Sequence, residues 1–311
     1  MFAFEKEQVI HNIGGVRIGG TPGEIPTVLA GTIFYTGHDI VQDAKKGLFD
    51  RKAAEALIKT QDEMADLTGN PALVQVFSES EEAVRRYIDF VTDITDAPFL
   101  IDSTVPDVRT AGLKHAEESG LLDKAIYNSI NISATEAELN ALREIKHECA
   151  IILAFNPHDS SIAGKRAVLE QGVPGFDKGL LKLSEELGVT KPLIDTATTA
   201  MGAGAGTAAA FTFVAKAVYG LPTGSGVHNA PSSWSWLRKY KKVNPDAYRT
   251  CDTASCLIVQ MMGADFVLYG PISNARTVFP VAAMADVFAA ESASVESGIE
   301  PSDSHPFRRL L

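Results

Sequence analysis

The stretch "FLIDS", Phe99–Ser103, decides the fold. Three apolar residues follow one another without interruption and stop at an acid, Asp102. A strand with one wet face alternates polar and apolar positions, whereas a strand covered on both faces reads as a continuous apolar run. The same signature recurs along the chain. It is seen in "TVLAGTIF" (Thr27–Phe34), "ALVQVF" (Ala72–Phe77), "AIYNSIN" (Ala125–Asn131) and "AIILAFN" (Ala150–Asn156). It returns in "PLIDTA" (Pro192–Ala197), "LPTGSGVHN" (Leu221–Asn229) and "DFVLYG" (Asp265–Gly270), which makes eight candidate strands.

Helical, charge-laced segments separate them. "DRKAAEALIKTQDEMADLTG" has helical spacing and ends on Gly69, and "SEEAVRRYIDFVTDI" opens on Ser80, a good N-cap residue. "SATEAELNALREIKHE" carries Ser133 and Glu136 at the capping-box spacing, and "KGLLKLSEELG" ends on Gly188. Such an α/β chain can close as a (β/α)8 TIM barrel or spread as a doubly wound sheet. Eight strands, even spacing and no linker-like tract predict the barrel, as a single domain over residues 1–311. Residues 1–26 precede the first strand, and their "IGGVRIGG" is a candidate hairpin at the barrel bottom.

The 311 residues carry a net charge of −11 with no basic stripe, which excludes double-stranded nucleic acid as a partner. Three cysteines and no secretory leader predict a reduced, cytoplasmic protein. The chain is not expected to span a membrane, because its longest apolar-rich tract, "FPVAAMADVFAAESA", is broken by Asp286 and Glu291. Cys251 and Cys256 lack the second pair or histidines of a zinc site, so no metal is expected. "MGAGAG" (Met201–Gly206) does not have dinucleotide-loop spacing and is read as a loop lining the mouth.

A barrel carries its active site at the C-terminal strand ends. The polar residues there are Gln75, Asp102, Asn128, Asn131, Asn156, Asp195, His228 and Asn229, with Gly226 among them. Each alone has an ordinary structural use as a helix cap or turn closer. Their recurrence on successive strands predicts a rim of carboxylates and amides. Such a rim suits a flat heterocycle with amide and amino edges, and does not suit phosphate.

Read together, "IGGVRIGGTPGE", "GTIFYTGH", "LVQVF", "YNSINIS", "PLIDTATTAMGAGAG", "GLPTGSGVHNAPSSW" and "YGPISNA" resemble one family over essentially the whole chain. It is the family of the H subunit of tetrahydromethanopterin S-methyltransferase and its bacterial relatives that use tetrahydrofolate in glycine betaine demethylation. The resemblance implies a pterin-binding methyltransferase barrel. It implies a homodimer and methyl transfer between N5 of a tetrahydropterin and the cobalt of cobalamin or another corrinoid, carried by a partner corrinoid protein. It matches Asp102, Asn128 and Asp195 to pterin-holding residues, Gly226 to close backbone approach, and Asn229 to the residue facing N5. At His228 the related methyltransferases have serine. The tetrahydrofolate-using type is preferred here over the tetrahydromethanopterin-using type, on the "PDAYRTCDTASC" segment and the tail. A corrinoid-protein docking subunit without turnover is the alternative of another class.

Overall fold

The computed structural model describes residues 3–311. Eight parallel strands close into a barrel, each hydrogen-bonded to its neighbours in chain order. They are β1 (Val28–Ile33), β2 (Ala72–Phe77), β3 (Phe99–Asp102), β4 (Ala125–Ile130), β5 (Cys149–Leu153), β6 (Lys191–Asp195), β7 (Thr223–Ser225) and β8 (Phe266–Pro271). The helices α1 (Arg51–Thr68), α2 (Glu81–Ile94), α3 (Pro106–Glu118), α4 (Glu136–Glu144), α5 (Ile162–Glu170) and α6 (Leu180–Glu186) come next. They are followed by α7 (Ala205–Tyr219), α8 (Asn229–Ser233), α9 (Ser235–Tyr240), α10 (Pro245–Met261), α11 (Ala275–Ser297) and α12 (Pro306–Leu310). All eight strands read from the sequence are present, and the architecture is the (β/α)8 TIM barrel.

Cap chemistry sets the helix ends. Asp50 and Ser80 accept the Ala53 and Ala83 N–H groups at the starts of α1 and α2. Gly69 and Gly188 take the left-handed conformation that ends α1 and follows α6. The start of α4 differs from expectation. Asn131 Oδ1 accepts both the N–H and the hydroxyl of Ser133, which engages Ser133 in a turn. The cap is Thr135, which accepts the Glu138 N–H and repeats the same spacing two residues later.

Strand β7 is shorter than its apolar run because the chain turns at Val227–His228, and Asn229 opens α8. The segment Ile272–Ser297 is long and apolar enough to cross a membrane by length and composition, the one such helix among the described residues. Half of its apolar window is buried inside the fold, where α11 packs on α1 and α10. Its Asp286 accepts hydrogen bonds from Thr27, Asn70 and Gln260, so this acid ties the helix to the foot of β1.

The barrel interior is filled from its N-terminal end. Ile10–Ile13 and Val16–Gly19 form an antiparallel hairpin. Its Ile13 and Ile18 join one apolar cluster with Val28, Leu73, Leu100, Ile126, Ile151, Leu193 and Phe266. Gly19, at φ +118°, is where the hairpin meets the chain entering it, and a Cβ there would stand 2.1 Å from the Val9 carbonyl. With hydrocarbon filling the lower layers, polar side chains are left for the C-terminal rim.

Candidate active site

At that rim lies a cavity of about 780 Å³. Gln75, Asp102, Asn128, Asn131, Asp195, Gly226, His228 and Asn229 all line it. Residues more than a hundred positions apart therefore meet at one mouth, because each stands in the last three residues of a barrel strand or just beyond its end. Asn156 is not among the lining residues. Its Nδ2 donates to the Gly164 carbonyl at 3.1 Å and its Oδ1 accepts the His158 and Asp159 N–H groups, so its amide closes the loop between β5 and α5.

Parallel register builds the first part of the rim. Thr32 stands beside Gln75 on the neighbouring strand, and Asp102 beside Asn128. Thr32 Oγ1 donates to Gln75 Oε1 at 2.8 Å, which leaves Gln75 Nε2 to donate to Asp102 Oδ2 at 2.7 Å. Burial pushes the Asp102 carboxyl up to about 6, against the lowering pull of the Gln75 amide, the Arg109 charge and the Ser103 backbone. Between Asn128 and Ser129 the peptide is cis. Among the described residues no group hydrogen-bonds the Asn128 side chain, which leaves its amide for a ligand. The Asn131 amide, by contrast, is spent on Ser129 and Ser133.

Asp195 is buried on the far side of the rim, and burial also pushes its carboxyl up to about 6. The Ala197 N–H and the Lys165 charge pull the other way, and the Asp102 charge adds to the rise. Ala197 takes φ +57°, an unusual conformation for a residue with a side chain, and from it donates its N–H to Asp195 Oδ1 at 2.7 Å.

The loop after β7 brings Asn229 and His228. Asn229 Nδ2 lies 3.4 Å from the Thr198 carbonyl, a long contact that holds the amide loosely. His228 Nδ1 lies 2.7 Å from Asp252 Oδ1 on α10. Asp252 carries no motif around it and lies in a helix, where an acid reads as surface.

Arg109 also lines the mouth, on α3, where nothing in the local sequence marks it. Its guanidinium is committed, donating to Glu138 Oε1 at 2.5 Å and to the Ser103 carbonyl at 2.7 Å. Among the described residues, the one Lys or Arg side chain on the cavity wall is thus already paired, and the remaining polar lining is acids, amides, hydroxyls and the His228 ring. Among the described residues no group of three or more His, Cys, Asp or Glu side chains is placed to hold a metal ion.

The "MGAGAG" loop does not line this cavity. Gly202 and Gly204 turn the chain at positive φ into α7. Met201, Ala205 and Gly206 border a separate apolar cavity of about 500 Å³ against Trp234 and Ile258.

The sequence matches the family model described as the tetrahydromethanopterin S-methyltransferase MtrH subunit over residues 6–302. The chain belongs to this family. It is 54% identical over 311 residues to the H subunit of tetrahydromethanopterin S-methyltransferase from Methanothermobacter thermautotrophicus, covering 100% of both chains. It is 50% identical over 320 residues to the same subunit of the Methanocaldococcus jannaschii enzyme, again over 100% of both. It is 49% identical over 311 residues, and 100% of both chains, to the H subunit of the putative methyltransferase mtx of Methanosarcina acetivorans. This MtrH-family chain is therefore a methyltransferase subunit at the level of its family.

Two dihydropteroate synthases share its fold. That of Xanthomonas albilineans, in complex with indole-2-carboxylic acid and 6-chloroguanine, has a TM-score of 0.55 at 16% identity, over 88% of this chain and 96% of that one. That of Yersinia pestis has a TM-score of 0.57 at 13% identity, over 89% and 98%. The preference for a tetrahydrofolate-using glycine betaine enzyme is not supported, since these full-length relatives are H subunits. The "PDAYRTCDTASC" segment that suggested it forms most of the N-terminal part of α10 and supplies Asp252.

Proposed function

We propose that this chain binds a methylated tetrahydropterin in the rim cavity and serves the methyl transfer from pterin N5 to a corrinoid on a partner protein. Tetrahydromethanopterin is the pterin that the names of its relatives favour. The observation that carries this reading is the convergence of Asp102, Asn128, Asp195 and Asn229 on one cavity.

The chemistry fits. A pterin edge presents ring N–H and amino donors, which two ionised carboxylates accept, while Asn128 and Asn229 can donate or accept. Above about pH 7 carboxyls titrating near 6 are ionised, so they accept rather than donate. A cavity of about 780 Å³ exceeds what one pterin fills, which leaves the outer mouth for the second reactant. The corrinoid supplies the metal that receives the methyl group. This chain's task is to fix N5 beneath the mouth, and such positioning can account for most of a displacement rate. Asn229, matched by resemblance to the residue facing N5, has its amide held only loosely and so is able to follow N5 as the methyl leaves. A protein that only docked a corrinoid carrier would not need this rim.

The test is a methyl-transfer assay with free cob(I)alamin as acceptor, comparing 5-methyl-tetrahydromethanopterin with 5-methyltetrahydrofolate as donor. Transfer from the first, with weaker or no transfer from the second, is expected. No binding of either pterin overturns the reading.

A further inference from the structure

One pair at the mouth is not needed to hold a pterin by its edges. His228 Nδ1 lies 2.7 Å from Asp252 Oδ1. A carboxylate accepts, so Nδ1 carries the hydrogen and Nε2 is the nitrogen left to take up and release a proton. Asp252 is itself held, since its Oδ2 accepts from Asn274 Nδ2 at 3.4 Å, and it is buried on α10. Among the described residues nothing pairs with Nε2, and His228 lines the cavity.

The fold also makes room for the ring. The pairing of β8 with β1 shifts register between Leu268 and Gly270. Gly270 sits at φ +83°, and a Cβ there would stand 2.4 Å from His228 Cγ. A helix, a turn and a strand thus cooperate to seat one imidazole with a single free nitrogen at the mouth. A histidine serving only as packing would not require a buried acid, its amide support and a side chain removed from the neighbouring strand.

Resting on the pterin reading above, we propose that His228 is the catalytic acid that protonates N5 of the methylated tetrahydropterin, and that Asp252 is its positioning residue. The imidazolium gives its Nε2 proton to the N5 lone pair, which makes N5 a methylammonium centre. The bond from N5 to the methyl carbon then breaks and its electron pair stays on nitrogen. N5 is left as a neutral secondary amine bearing the transferred hydrogen. The methyl carbon takes both electrons of its new bond from the reduced cobalt of the corrinoid. Neutral His228 regains a proton from water. General acid catalysis of this kind contributes about 10²- to 10⁴-fold.

The ionisable groups around His228 are Asp252 from α10 and, lining the same cavity, Asp102 from β3, Asp195 from β6 and Arg109 from α3. The experiment follows single-turnover transfer from 5-methyl-tetrahydromethanopterin to cob(I)alamin between about pH 6 and 9, for wild type, His228→Gln and Asp252→Asn, with pterin affinity measured separately by calorimetry. In the wild type the rate is expected to fall about tenfold per pH unit on the alkaline side. His228→Gln is expected to bind the pterin within about threefold of wild type and to transfer about 10²-fold more slowly. Asp252→Asn is expected to keep pterin affinity and lose about tenfold in rate, because an amide allows the wrong imidazole tautomer. A His228→Gln protein that transfers at the wild-type rate, or that loses rate only in proportion to affinity, overturns the assignment. A wild type that binds no pterin overturns the functional reading itself, and is distinguishable from either result.

Discussion

Lys165 and Asp195 are joined through one loop. The buried Lys165 ammonium donates to the Thr196 carbonyl at 2.8 Å and to the Ala154 and Ala197 carbonyls at 3.4 Å, while Asp195 accepts the Ala197 N–H. The lysine thus shapes the loop that presents the acid, and its charge helps to keep the acid ionised.

Lys165→Met separates these two effects. The three carbonyls lose a charged donor, at a cost of about 1–3 kcal/mol in a buried site. With the positive charge gone, the Asp195 carboxyl moves further above 6, so less of it is ionised near neutral pH. Urea unfolding is expected to show the loss of stability. Calorimetry is expected to show weaker pterin binding that recovers as pH is raised. Unchanged stability together with unchanged affinity would remove Lys165 from the site.

Asp195→Asn tests the cost of keeping the acid. The folded pKa of about 6 lies above the unfolded value, so the native state holds the proton more tightly. The native state is therefore favoured below the unfolded pKa, and that advantage is lost as pH rises from about 4 to about 6. A shift of about two units corresponds to about 3 kcal/mol, an upper figure because Lys165 loses its counter-charge in the variant. Asp195→Asn is expected to be more stable than wild type near neutral pH, with a flatter stability profile on the acid side and poorer pterin binding. A wild-type pH profile in the variant would show that Asp195 titrates normally.

The barrel was legible because its strands are buried on both faces. "FLIDS" and "PLIDTA" leave no polar residue until the rim, so the end of the apolar run marks the level of the cavity. The same rule misjudged Asn156, which ends its run as Asn128 does but turns its amide into the following loop. Side-chain direction at a strand end is set by the turn, and the apolar pattern does not encode it. Arg109, on the cavity wall, and Asp252, behind His228, were missed because they come from helices, where their spacing looks like that of solvated charge. The distance in sequence between His228 and Asp252 is 24 residues, too far for any local motif. The hairpin was legible from paired glycines in "IGGVRIGG", since a tight reversal needs positive φ, and Gly14, Gly15 and Gly19 all have it.

Asn229→Ala addresses the transfer step. The side chain makes one long contact, to Thr198, so its removal leaves little of the fold unsupported. If the amide orients N5 as the methyl leaves, its loss is expected to slow single-turnover transfer by about 10²-fold, the usual cost of one positioned hydrogen-bonding group. The thermal unfolding midpoint is expected to stay close to that of wild type. Full turnover in Asn229→Ala would take this residue out of the mechanism.

Ile18→Ala asks whether the hairpin closes the barrel or only covers it. Ile18 has 0% exposure and packs with Val28 and Phe266, the first residues of β1 and β8. Truncating a buried isoleucine costs about 2–5 kcal/mol where the surroundings cannot collapse into the space. A hairpin lying loosely on the surface would give a change within about 0.5 kcal/mol. Because the cluster occupies the end of the barrel away from Asp102 and Asn229, pterin affinity is expected to remain that of wild type at temperatures where the variant is folded. Urea unfolding and calorimetry on the same preparation measure both quantities. A large loss of stability with intact binding assigns the hairpin to the foundation of the barrel, whereas a loss of affinity in the folded protein would show that the lower layers also set the shape of the mouth.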